Sequence, residues 1–168
     1  MKQVQVQVHP PTPANLAANL EAETEALRQF LQILQSEQDA LTQGNIDKLA
    51  EFARLKSEQG VRLSQLNTNH NHLLTQHGLG NTPQDTRQLI QREDPDGKHC
   101  LADRWEKLLE LAKQAQDMNR FNGAMIEMQL KRNQQALAIL QEAAKQTSLY
   151  GPDGHSQALG TGRRLGKI

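Results

Sequence analysis

His70, His72 and His77, clustered in this 168-residue chain, are candidates for chemistry, since imidazole nitrogens bind zinc and carry protons. A stable metal site needs three or four convergent ligands. On a helix, His70 and His77 share a face while His72 points away from it, and no His-Glu-x-x-His or Glu-x-x-His pattern is present. The three read as solvated helix histidines, and no metal is expected. Cys100 follows His99 and could be a thiol nucleophile. Neighbours on a helix diverge, however, and no acidic residue is placed to orient the imidazole, so a packed or inert thiol is expected. As the single cysteine, Cys100 excludes an intrachain disulfide and suits a reducing compartment. Gly160-Thr161-Gly162-Arg163-Arg164-Leu165-Gly166 has the letters of a phosphate-cradling loop, yet it follows no strand and opens no helix. Its basic residues fit an acidic partner surface better. No convergent acid, base, nucleophile or metal set can be assembled, so the chain reads as a binder without cofactor, not as an enzyme.

Polar residues set into an apolar stripe point the same way. Steps of three and four from Trp105 pass through Leu108, Ala112, Ala115, Asn119, Asn122, Ile126, Gln129, Asn133, Ala136 and Leu140, which a helix lays along one seam. Asparagines on such a seam are costly if buried without a partner. They either pair across to neighbouring helices or mark an open face. Met118, Met125 and Met128 cluster in the same segment, and methionine suits both core packing and adaptable binding surfaces. Apolar residues at 125, 126, 128 and 130 cannot all face one helix, so at least one of them should look outward.

The elements that carry these residues are helices. Aromatics make up 3% and hydrophobics 36% of the chain, which favours long amphipathic helices around a thin core. Lys and Arg number 19, as do Asp and Glu, so no general electrostatic hold on nucleic acid or anionic lipid is expected. No apolar run approaches a membrane span, and a cytoplasmic location is expected. Residues 1–13, with Val4, Val6 and Val8 alternating before a proline cluster, are expected to be a flexible leader. Leu20, Leu27, Leu34 and Leu41 recur every seventh position in a first helix from Ala14, which Gly44 ends. Asn45 is the expected N-cap of a second helix that begins at Ile46 and carries Leu49, Phe52, Ala53, Val61, Leu63, Leu66, Leu73 and Leu74. Gly60 inside it could mark a mild bend or a close helix contact. The hairpin spans 14–77 and a connector 78–100, with a short helix from Pro83 to Arg92 capped by Thr82 and a turn at Pro95-Asp96-Gly97. The longest helix covers 101–147 and is expected to outrun its partners. Residues 149–168 form a Gly-rich basic tail expected to be mobile. The expected fold is therefore all-α: an elongated antiparallel bundle or coiled coil of three long helices and a short one, in a single domain over 14–148.

Trp105-Glu106-Lys107-Leu108-Leu109, Asn119-Arg120-Phe121-Asn122-Gly123 leading into Met125-Ile126-Glu127, Gln135-Ala136-Leu137, and the closing Leu149-Tyr150-Gly151-Pro152-Asp153-Gly154 and Gly162-Arg163-Arg164-Leu165-Gly166 together resemble the FlgN family of flagellar export chaperones. The turn at Pro95-Asp96-Gly97 and the His99-Cys100 pair lie outside that resemblance. It implies a cytoplasmic, non-enzymatic chaperone of the flagellar type III export system. The implied partners are the C-terminal helical segments of hook-associated proteins and components of the export apparatus, with homo-oligomer formation left open. The implied contact residues fall at Asn119, Asn122, Met125, Ile126, Met128, Leu130, Asn133, Leu137, Leu140 and Tyr150. A structural coiled-coil adaptor or homo-oligomeric bundle without a secretion role fits the leucine heptads equally well.

Overall fold

The computed structural model describes residues 15–149, with side chains to residue 145. Four α-helices form: α1 (Leu16–Thr42), α2 (Leu49–Gln76), α3 (Pro83–Glu93) and α4 (Leu101–Leu149), with one 3-10 turn, Ile46–Lys48, ahead of α2. The fold is all-α, three long helices and a short one, with no strand among the described residues. The leader, the tail from 150 onward and Tyr150 with it lie outside the described residues. The chain divides into two units between Ala124 and Met125.

In the first unit, α1 and α2 are antiparallel. Asn19 bonds to Leu66 and Asn69, Gln29 to Arg62, and Glu37 to Lys56. The opening stretch of α4 runs parallel to α1, since Arg104 pairs with Glu21 and Asn122 with Leu34. It is antiparallel to α2, with Trp105 beside His70 and Asn119 beside Lys56. Burial follows the heptads. Leu16, Leu20, Leu27 and Leu34 pack with Leu74, Leu89, Ile90, Leu101, Trp105, Leu108, Leu111 and Ala115 in one core.

Local chemistry sets the helix ends. The Asn15 side chain accepts the Ala18 amide at the start of α1, and Gly44, at φ 71°, lets the Asn45 amide turn back to the Ala40 carbonyl. Asn45 makes no capping bond, contrary to the sequence expectation. The chain first closes the 3-10 turn and enters α2 three residues later, at Leu49. The expected connector helix forms with Thr82 and Asp85 as a capping box and Pro83 in its first turn. Gly78, at φ 68°, ends α2.

Two features of α2 differ from the expected apolar face. Ile46, in the 3-10 turn, Ala53 and Val61 are exposed, because the line of α2 that faces the other helices runs through Phe52, Lys56, Gln59, Leu63, Leu66 and His70 and passes them by. Gly60 sits inside α2 with open space where a Cβ would lie, so no close helix contact explains it. Gly60→Ala is expected to raise stability by about 0.5–1 kcal/mol, read as a higher urea midpoint.

Asp94 organises the entry to α4. Its Oδ1 accepts the His99 amide and its Oδ2 the Leu101 amide, each at 3.1 Å, across the turn at Pro95-Asp96-Gly97. Cys100 is exposed there in the left-handed region at φ 53°, neither packed nor bonded to sulfur. Burial pushes the Asp94 carboxyl up, but the His99 and Leu101 amides and the charge of His99 outweigh it and hold it below its ordinary 3.8. Hydrogen bonds from the Thr82 side chain and backbone hold Asp85 below that value too. A depressed folded pKa contributes stability above the unfolded value, lost as pH falls through the folded one. The urea midpoint should therefore hold steady down to about pH 4 and fall below it. Asp85→Asn/Asp94→Asn should start lower at neutral pH and lose less on acidification.

Candidate functional site

The first unit places its polar residues as ties between helices. Glu37 of α1 is 1% exposed and is met from two sides. Lys56 Nζ of α2 lies 2.8 Å from Oε1, and Asn122 Nδ2 of α4 donates to Oε2 at 3.0 Å. Asn122 Nδ2 also donates to the Leu34 carbonyl at 2.8 Å, while its Oδ1 has no hydrogen-bond partner among the described residues. Asn122 is completely buried. Its expected role as a partner contact is thus corrected: it takes the other course open to a seam asparagine and pairs across to α1. Asn119 is exposed, and its Oδ1 accepts from Lys56 Nζ at 3.5 Å. The buried line of α4 runs through Leu111 instead of Ala112 and through half-buried Met118 instead of Asn119, because the step after Leu108 is three residues, not four.

His70 is the second correction. It is buried, not solvated, and its ring touches a group from each of the other helices. Nδ1 lies 3.3 Å from Glu23 Oε2, Nε2 lies 3.1 Å from Thr86 Oγ1, and the Trp105 ring centroid is 5.5 Å away. A carboxylate only accepts, so a proton on Nδ1 is donated to Glu23. His72 and His77 are exposed, as expected. These histidines do not converge on a metal: no group of metal-binding side chains large enough to hold an ion occurs among the described residues.

An open groove of about 1050 Å³ also lies on the first unit, between Gln38 of α1 and Met118, Phe121 and Ala124 of α4. Phe121 is 54% exposed on its edge, and spacing alone did not single it out as a surface residue.

The second unit carries the remaining expected contact residues on the latter part of α4. Leu130, Leu137 and Leu140 are exposed by 56%, 55% and 67%, and Asn133 is exposed with them. Ile126 is half-buried. Ile126, Leu130, Asn133, Leu137, Leu140 and Ala144 follow alternating steps of four and three. At about 100° per residue they fall within an arc of about 80°, the seam of a coiled coil. Met128, half exposed, and Ile139, which sequence reasoning missed, lie about 140–160° from the centre of that seam, on the opposite side. Half-buried Met125 lies a quarter-turn off it. The expected contact set thus separates into a seam of five residues and two methionines outside it.

Comparison with known proteins bears on what these elements serve. The family model described as FlgN protein matches residues 12–158. The chain belongs to the FlgN family. Among FlgN relatives, the flagella synthesis protein FlgN of Yersinia enterocolitica is 32% identical over 154 residues, covering 90% of this chain and 96% of the relative. The protein of the same name from Proteus mirabilis is 31% identical, over 89% and 96%. That of Salmonella typhimurium is 29% identical, over 84% and 89%. No solved structure matches. No described helix of this FlgN-family chain is long and apolar enough to cross a membrane.

Proposed function

We propose that the chain acts in flagellum synthesis as a cytoplasmic export chaperone. It binds hook-associated proteins of the hook–filament junction, keeps them from associating early and delivers them to the type III export apparatus. The observation that carries this reading is the seam Ile126-Leu130-Asn133-Leu137-Leu140, exposed at four of its five residues, on the second unit of a FlgN-family chain. Three leucines more than half exposed on one stripe leave apolar area in water that a docked amphipathic helix would remove. Adhesive terminal helices of a secreted client supply such a partner, and the seam would cover them until handover. Binding, not turnover, is the function: no catalytic set is used and no cofactor is required. Ordering a client segment costs several kcal/mol of the contact energy, which keeps affinity moderate and favours release. Tyr150 is included in the proposed contact set.

Calorimetric titration of the full chain with the C-terminal helical segment of a cognate hook-associated protein tests it. One-to-one binding is expected, with a negative heat-capacity change from apolar burial. Silence across all cognate junction proteins would overturn the reading. The same seam also favours a second one, a homo-oligomeric bundle in which a copy of the chain covers it. Sedimentation equilibrium separates the two: a tight dimer unaffected by client supports the scaffold, and a monomer that takes up client supports the chaperone.

A further inference from the structure

The residues flanking the exposed seam define what kind of helix it takes, provided the docking reading above holds. With Ile126, Asn133 and Leu140 at one core position of the heptad and Leu130, Leu137 and Ala144 at the other, the flanking positions are Glu127, Gln134 and Gln141 on one side and Gln129, Ala136 and Ala143 on the other. Between 128 and 145 the charged residues are Lys131, Arg132, Glu142 and Lys145; the first three fall about 120–160° from the centre of the seam, and Lys145 lies a quarter-turn off it at the C-terminal end. Coiled coils ordinarily choose partners and orientation through ion pairs between the flanking positions. Here those positions hold amides and alanines, with a single carboxylate at the N-terminal end.

We propose that this seam selects an amphipathic helix with uncharged flanks, by apolar contact and one amide match at Asn133. Glutamine side chains at 134 and 141 are exposed and offer both donors and acceptors, so they hydrogen-bond Gln, Asn or Ser and present no counter-charge to Lys or Glu. A charged flank on the partner would lose hydration against alanine at 136 or 143 without finding a counter-charge. Asn133 sits in the middle of the seam, where a helix placing leucine opposite it leaves an amide unpaired on burial. The occupant is thus a partner helix with apolar core positions, one Asn or Gln facing position 133, and Gln, Ser or Ala at its flanks. Its affinity does not depend on ionic strength, because apolar contacts and neutral hydrogen bonds are not screened.

Fluorescence anisotropy of the full chain with three synthetic helical peptides tests this. All carry leucine at the core positions and one asparagine to meet Asn133; their flanks are Gln and Ala, Lys, or Glu. The neutral-flank peptide is expected to bind at least ~10-fold more tightly than either charged one, with a Kd shifting less than ~2-fold between about 50 and about 500 mM NaCl. Gln134→Lys/Gln141→Lys, at two exposed positions, is expected to turn preference toward the Glu-flanked peptide and to introduce salt dependence. Tighter binding of a charged-flank peptide to the unaltered chain, with a steep loss in salt, would overturn neutral selection while leaving helix docking intact. Failure of all three peptides would remove the docking reading itself. Binding that weakens as the chain's own concentration rises would show a second copy on the seam and overturn a foreign partner.

Discussion

A chain carrying Leu137→Asp and Leu140→Asp is expected to bind the proposed helical client at least ~100-fold more weakly, with helix content and melting temperature unchanged. Both leucines are more than half exposed, so neither contributes much to the folded chain by itself. On docking each would bury a side chain worth about 1.5–3 kcal/mol, and together they account for roughly 3–6 kcal/mol of contact energy. Aspartate forfeits that and adds the cost of desolvating a charge with no cation opposite it. Circular dichroism and calorimetry on the same sample separate the outcomes. Lost binding with an unchanged melt supports a docking seam; a collapsed melt would mean the leucines hold the fold; unchanged binding would move the client elsewhere on the chain.

Lys56→Met is expected to lower the stability of the bundle by about 3–5 kcal/mol and its melting temperature by roughly 6–20 °C. It leaves the Glu37 carboxylate almost sealed from water, with only Asn122 donating to it. Replacing both partners, Glu37→Leu with Lys56→Met, should recover most of the loss, because a buried ion pair exchanged for apolar residues of similar volume is often neutral. The double-mutant cycle in urea gives the coupling directly. A single-variant loss below about 1 kcal/mol would show that water reaches Glu37 and that the tie is minor.

Much of the bundle was legible because its signals are local. The Leu20-Leu27-Leu34-Leu41 heptad, Gly44 as a helix stop and the Thr82-Pro83-Asp85 start need only neighbours in sequence, and each forms. The α1 seam held a further signal that passed unread. Its alternating steps run Leu16, Leu20, Glu23, Leu27, Phe30, Leu34, Glu37 and Leu41, so two carboxylates occupy core positions. A carboxylate in a leucine seam demands donors from across the bundle. That demand can be read in α1, but the identity of the donors cannot. His70, Lys56 and Asn122 are selected by the register of α2 and α4 against α1, a tertiary property that helical periodicity does not encode. The same register decides that Asn122 goes inside while Asn119, three residues earlier, stays at the surface. The seam after Met125 was partly legible: Leu130, Leu137 and Leu140 were marked by type, while the sorting of Met128 and Ile139 to the opposite side emerges once the heptad is counted from Ile126.

The hydrogen bond from Asn122 to the Leu34 carbonyl joins residues 88 apart in sequence. At a synthesis rate of about 5–20 residues per second, α1 leaves the ribosome some 4–18 seconds before the helix that completes its packing exists. During that interval α2, followed by α3, must cover the leucine seam of α1 without Asn122, and the α4-facing side of Glu37 has no amide to meet it. A nascent chain of this kind spends its early life as an unfinished hairpin with an adhesive edge, the same hazard that its mature form is proposed to shield in others.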